Sequence, residues 1–131
     1  MCNQKDALVL VIDDNPDNLF LMEMVLAQEG YRVETATCGR EGLAKIHKLR
    51  PDLIVLDMMM PDLTGFEVIE QIESYQNLAK IPIIICTANK FVQKKNIAEV
   101  IDVCYKPIEI ENMLAKVNSL IACDDRAEHA N

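Results

Sequence analysis

The sequence predicts an α/β domain: a five-stranded parallel sheet, doubly wound, with helices on both faces. Three observations carry that expectation. Short apolar runs alternate with longer amphipathic runs along the chain. The most apolar ones, "ALVLVI", "DLIVLD" and "IPIIICTA", lack the in/out alternation of a half-solvated strand and suit strands covered on both faces. Each strand-like run is followed by a helix-like one, which supplies the crossover that parallel neighbours require.

The first strand is "ALVLVI", Ala7 to Ile12. "DDNPDN" then turns the chain, with Asn15 as N-cap and Pro16 at the first helical position. The first helix runs to about Glu29 with Leu19, Met22 and Leu26 on one stripe, and Gly30 stops it. "YRVETA" alternates and reads as a strand with one wetter face. A second helix from about Arg40 carries Leu43, Ile46 and Leu49, and Pro51 closes it. "DLIVLD" is the third strand, and a third helix begins near Gly65 with Phe66, Ile69 and Ile72 as its expected buried stripe. "IPIIICTA", Ile81 to Ala88, is the most hydrophobic stretch, hence a central strand. A short fourth helix is expected over Phe91 to Val100, and "DVCYK" makes a fifth strand. In the fifth helix, Ile110, Met113, Leu114, Val117, Leu120 and Ile121 follow the 3.6-residue repeat. Glu109 and Glu111 suit its positive end. The domain is expected to occupy residues 1–123, with 124–131, "DDRAEHAN", as a flexible polar tail.

At 131 residues the chain has room for one domain, and its 50% hydrophobic content is enough for a core without disulfide or metal staples. A net charge of -8 would repel a nucleic-acid backbone, and the densest basic cluster, "KFVQKK", is short. No apolar run approaches the roughly 20 residues needed to cross a bilayer, so no membrane insertion is expected, and the compartment expected is cytoplasmic. Cys2, Cys38, Cys86, Cys104 and Cys123 have no Cys-x-x-Cys spacing and read as reduced thiols. His47 and His129 have no ligand-spaced partner and read as solvated surface. Asp62 reads as a solvated turn residue.

Five polar residues fall at carboxyl ends of strands: Asp13 and Asp14 after the first, Asp57 on the third, Thr87 on the fourth and Lys106 on the fifth. Each alone is an ordinary turn or cap residue. Together they share one rim, where ligands of open parallel sheets gather. Two like charges about 4 Å apart repel by roughly 4 kcal/mol at an effective dielectric near 20, and one lysine offsets three carboxylates poorly. An all-oxygen, carboxylate-rich site suits Mg²⁺, which keeps open positions for a phosphoryl oxygen. Metal, lysine and hydroxyl are the parts that phosphoryl transfer requires, and an aspartate can be the acceptor by forming an acyl phosphate.

"VIDDN", "PDLIVLDMMMPDLTGFE", "ICTA" and "YKP", in that order and at those strand ends, resemble the receiver domain of the two-component response-regulator family. The likeness runs from about Ala7 to Ala122. It implies a flavodoxin-like (βα)5 fold in which Asp57 accepts a phosphoryl group from a sensor histidine kinase or a histidine phosphotransfer protein. It further implies that Asp14 and Asp57 bind Mg²⁺ (or Mn²⁺) directly, Asp13 mainly through water, and Met59 through its backbone carbonyl. Lys106 would pair with the carboxylate or its phosphate. Thr87 would move to the phosphate and link the chemistry to a surface of the fourth helix, fifth strand and fifth helix, where a downstream protein target binds. Such a domain assists its own phosphorylation and slow dephosphorylation and is not otherwise an enzyme.

Two departures stand out. The aromatic residue that commonly takes part in the switch is replaced by Val103, and Tyr105, of the same strand parity, is expected to take over part of that role. The interval from Thr87 to Lys106 is a few residues shorter than is usual. Met59 and Asn89 are expected to flank the path of the hydrolytic water.

Three rivals fit less well. Haloacid-dehalogenase-type phosphohydrolases need an acid/base two positions after the nucleophile, where this chain has Met59. A flavin phosphate would be repelled by the anionic "DDNPDN". A pseudo-receiver would have lost the acceptor, the acids or the lysine. No output domain follows the fifth helix, which leaves open a stand-alone regulator or a receiver cut from a longer chain.

Overall fold

The computed structural model describes residues 6–89 and 101–129, the latter with backbone alone at 101 and 122–129. In chain order the elements are β1 (Leu8–Ile12), α1 (Pro16–Gln28), β2 (Arg32–Ala36), α2 (Gly39–Leu49), β3 (Leu53–Asp57), α3 (Gly65–Glu73), β4 (Ile83–Thr87), β5 (Ile101–Tyr105) and α4 (Ile110–His129). The helix expected over Phe91 to Val100 lies outside the described residues, so α4 is the fifth helix of the sequence analysis. All strand pairs are parallel, in the order β2-β1-β3-β4-β5. The middle strand is therefore β3, whereas the most hydrophobic stretch forms β4, one place off centre. Burial on both faces requires only two neighbouring strands, which β1, β3 and β4 all have.

Alternate residues divide the core into two layers. Val9, Val11, Val55, Ile84, Cys86 and Cys104 pack against Leu19, Met22 and Leu26 of α1 and Met113, Val117 and Ile121 of α4. On the opposite face, Leu10, Ile12, Ile54, Leu56, Ile83 and Ile85 meet Ile46 of α2 and Val68, Ile69 and Ile72 of α3. Phe66 is not in the α3 stripe but exposed, and Val68 takes its place. Both residues fit a helical repeat with Ile69 and Ile72, so the angle at which the chain enters α3 decides between them.

The ends of the helices follow their sequences. The Asn15 side chain accepts from the N–H groups of Asp17 and Asn18, with Pro16 behind it. Gly30, at φ 97°, takes the left-handed turn after α1 that a Cβ would disfavour. Thr64 and Glu67 form a reciprocal capping box on α3. At its far end α4 is longer than expected. It passes Cys123 and continues to His129, through residues whose sequence suits a flexible polar tail. The stretch contains neither Gly nor Pro and includes Ala, Arg and Glu, so nothing local stops a helix already nucleated by packing.

Candidate functional site

The sheet order reverses between β1 and β3, because β1 sends the chain outward to β2 and the next crossover returns to the other side. A crevice opens there at the carboxyl ends of the strands. Asp13 leaves β1 and Asp57 ends β3, both with the parity of Val11 and Val55, so both face the layer beneath α1 and α4. Each is buried, at 6% and 5% exposure, while Asp14 is exposed. One carboxylate oxygen from each of Asp13, Asp14 and Asp57 lies within 4.8 Å of the other two.

Lys106 enters from the end of β5 and donates from Nζ to Asp57 Oδ1 at 2.9 Å. Its own N–H donates to the Thr87 carbonyl at 2.8 Å, which continues the β4–β5 ladder one step and fixes where the side chain starts. Burial works against the Lys106 ammonium, but the hydrogen bond and charge of Asp57 outweigh it and the pKa is raised. Asp13 is raised too. Its burial is the main cause, opposed by the hydrogen bond from the Asn15 N–H and reinforced by the charge of Asp57. Its two oxygens accept from the Asn15 N–H at 2.9 Å and the Asn18 amide at 3.2 Å. Asn18, in the first turn of α1, was not singled out from sequence. The "DDNPDN" spacing that placed the cap also places this donor beside the acid.

At 4.8 Å two carboxylates repel by about 3–4 kcal/mol at an effective dielectric near 20. Solvent screens the share of exposed Asp14, but the buried Asp13–Asp57 pair keeps most of its repulsion. Lys106 neutralises one charge of the three. The donor set, oxygen only and net anionic, therefore fits a hard divalent cation. Below the carboxylates the crevice continues as a cavity of about 210 Å³ whose walls include Met22, Val55, Cys86 and Ile108.

Removing the lysine should be costly. Lys106→Met is expected to lower stability by about 1–2 kcal/mol, below the roughly 3–5 of a fully buried pair because the Lys106 side chain is 30% exposed. Urea unfolding in EDTA measures it, and an unchanged midpoint would mean that Asp57 is well solvated without its partner.

The remaining predicted residues separate. Thr87 is buried, and its hydroxyl accepts from the Asn89 N–H at 3.0 Å. Tyr105 is the register partner of Thr87 and 39% exposed, while Val103 pairs with Ile85 and is buried. The Met59 side chain is 74% exposed, so burial does not hold it over the acceptor. Asp62 is not a freely solvated turn residue: its carboxylate accepts from three backbone N–H groups.

Residues 9–118 match the family model described as response regulator receiver domain. The chain belongs to the response-regulator receiver family. It is 36% identical over 127 residues to the DNA-binding dual master transcriptional regulator RpaA of Synechocystis, which covers 93% of this chain but 52% of that protein. To the protein PilH of Pseudomonas aeruginosa it is 30% identical over 121 residues, 88% of this chain and 98% of the relative. Among solved structures, the chemotaxis protein CheY4 of Vibrio cholerae superposes with a TM-score of 0.80 at 33% identity, over 88% of this chain and 98% of that one. The chain spans about half the length of the Synechocystis relative and 26% of a probable cyclic di-GMP phosphodiesterase of Vibrio cholerae.

The receiver is thus a phosphoacceptor module with the three-carboxylate cluster typical of Mg-dependent phosphotransfer in response regulators. Among the described residues no helix is long and apolar enough to cross a membrane.

Proposed function

We propose that Asp57 is the phosphoacceptor, taking a phosphoryl group from a phosphohistidine on a sensor histidine kinase or a histidine phosphotransfer protein. The observation that carries this reading is the placement of Asp57: a buried carboxylate on the middle strand, at the reversal of strand order, paired to Lys106 and within 4.8 Å of two more acids. A carboxylate oxygen attacks phosphorus, the bond from phosphorus to the donor imidazole breaks, and the ring nitrogen keeps the electron pair. Asp14, Asp57 and the Met59 carbonyl would hold Mg²⁺ (or Mn²⁺), with Asp13 acting mainly through water. The bound cation supplies charge neutralisation for the acids and the incoming phosphoryl oxygens. Lys106, already on Asp57 Oδ1, stays with the carboxylate oxygen or shifts to a phosphate oxygen.

Phosphorylation adds one to two negative charges and new acceptors beside Thr87. The Thr87 hydroxyl, whose oxygen accepts from the Asn89 N–H, turns its own O–H to donate to the phosphate, and its register partner Tyr105 adjusts with it. The readout is a population shift in a surface that includes β5 and α4, where a downstream protein docks. With a net charge of -8 this unit has no direct role in binding nucleic acid, and it works in the cytoplasm, where a kinase can reach it.

Acetyl phosphate with Mg²⁺, followed by intact mass, is expected to add one phosphoryl group to the wild type and none to Asp57→Asn. Amide shifts of Thr87 and Tyr105 should move in the wild type alone. An adduct that survives in Asp57→Asn would reject the assignment, and no adduct on the wild type would favour a pure interaction module.

A further inference from the structure

Helix α2 is not capped by its own N-cap residue. Cys38 sits there in an extended conformation and makes no side-chain capping hydrogen bond. The carboxylate of Asp62 does the capping instead: Oδ1 accepts from the Gly39 N–H and Oδ2 from the Arg40 N–H, each at 2.9 Å, and Oδ1 also accepts from the Leu63 N–H. These bonds, those from Arg40 and Gly39 foremost, hold the carboxyl at a pKa of about 2. Leu63 closes the same contact, because a Cβ on Gly39 would sit 2.8 Å from Leu63 Cβ.

Asp62 belongs to the loop that leaves Asp57 and enters α3. That loop is tied at its far end, where the Gly65 N–H donates to the Met58 carbonyl at 2.8 Å and Thr64 and Glu67 form their capping box. Met59 lies between these ties, and its largely exposed side chain does little to anchor it. Its carbonyl is therefore placed by what holds the chain on either side: the strand end at Asp57 and Met58, and the carboxylate of Asp62.

We propose that Asp62 is a positioning residue for the metal site, fixing the segment that carries the Met59 carbonyl by capping α2 across the loop. This rests on the reading of Asp14, Asp57 and the Met59 carbonyl as the cation's ligands. A cap with no further role would contribute to stability alone and leave metal affinity unchanged. Outer partners that orient ligands commonly change affinity tenfold or more.

The test separates the two roles. Mg²⁺ binding to the unphosphorylated chain is measured by titration calorimetry, beside thermal unfolding in EDTA. In Asp62→Ala the Mg²⁺ dissociation constant is expected to rise about tenfold, and in Asp62→Asn, which keeps one acceptor oxygen, less. Cys38→Ser with Asp62→Ala gives α2 a local cap without retying the loop. Its melting temperature should recover while Mg²⁺ affinity stays weak. Unchanged affinity in Asp62→Ala, or affinity that recovers with stability in the double variant, would overturn the proposal and leave the metal site standing. Failure of the wild type to bind Mg²⁺ would overturn both.

Discussion

Asp13→Asn is expected to make the metal-free receiver more stable and to blunt its response to Mg²⁺. Burial and the neighbouring charge of Asp57 disfavour the ionised Asp13 carboxyl more than its two hydrogen bonds favour it, which is why its pKa is raised. A neutral isostere removes that cost. Its amide oxygen can still accept from the Asn15 N–H, and Asn18 can turn its own amide to present oxygen to the new NH₂ group. The gain in EDTA should be on the order of 1 kcal/mol, as for other relieved functional sites. Mg²⁺ reverses the ranking. At one hundred times its dissociation constant the cation stabilises the wild type by about 2.7 kcal/mol, whereas a variant binding tenfold more weakly gains about 1.4. With a head start of about 1 kcal/mol for the variant, the two stabilities should therefore cross near roughly ten times the wild-type dissociation constant, and the wild type leads above it. Thermal unfolding by circular dichroism across a Mg²⁺ series gives both curves. If Asp13→Asn is the less stable protein in EDTA, burial and like charge do not outweigh the two hydrogen bonds of the ionised carboxyl.

Burial and like charge also explain why so much of the site was legible in the sequence. Acids that burial and mutual charge make costly stand out when they follow runs such as "ALVLVI" and "DLIVLD", whose unbroken apolar character also announces a sheet covered on both faces. Strand ends then place Asp13, Asp57 and Lys106 on one rim with no knowledge of strand order, because parallel strands end on one side. Local signals also sufficed for the Asn15 cap and the stop at Gly30. What escaped depends on contacts that no local window contains. Asp62 caps a helix 23 residues earlier in the chain, so its neighbours give only the pattern of a turn. The exposure of Phe66 depends on the direction in which α3 leaves its loop. The continuation of α4 beyond Cys123 has no apolar stripe to announce it, although those residues favour helix.

Gly65→Ala should slow phosphorylation far more than it changes stability. The residue opens α3 with a backbone that alanine can adopt, so the substitution gains up to about 1 kcal/mol of helix propensity. Against that, an added Cβ would run into Met58 Sδ, and it would lie 3.0 Å from Met58 Cα and 3.3 Å from the Asp57 carbonyl oxygen. The sulfur lies one atom from the end of a flexible, though buried, side chain and can shift. The backbone atoms cannot, and α3 cannot retreat without losing the bond from the Gly65 N–H to the Met58 carbonyl. The strain therefore falls on the peptide that joins the acceptor to its loop. Overpacking of this kind costs about 1–3 kcal/mol, so the net loss after the propensity gain should be no more than about 2. The rate is more sensitive, since a misplacement near 1 Å can cost on the order of 10²-fold in a step that depends on in-line geometry. Urea unfolding and the initial rate of adduct formation with acetyl phosphate measure the two effects separately. Adding Met58→Ala removes the sulfur but leaves Met58 Cα in place, so the double variant should recover part of the stability and little of the rate. Recovery of both would place the constraint in the side chain, and Asp57 would then owe nothing to the close approach of Gly65.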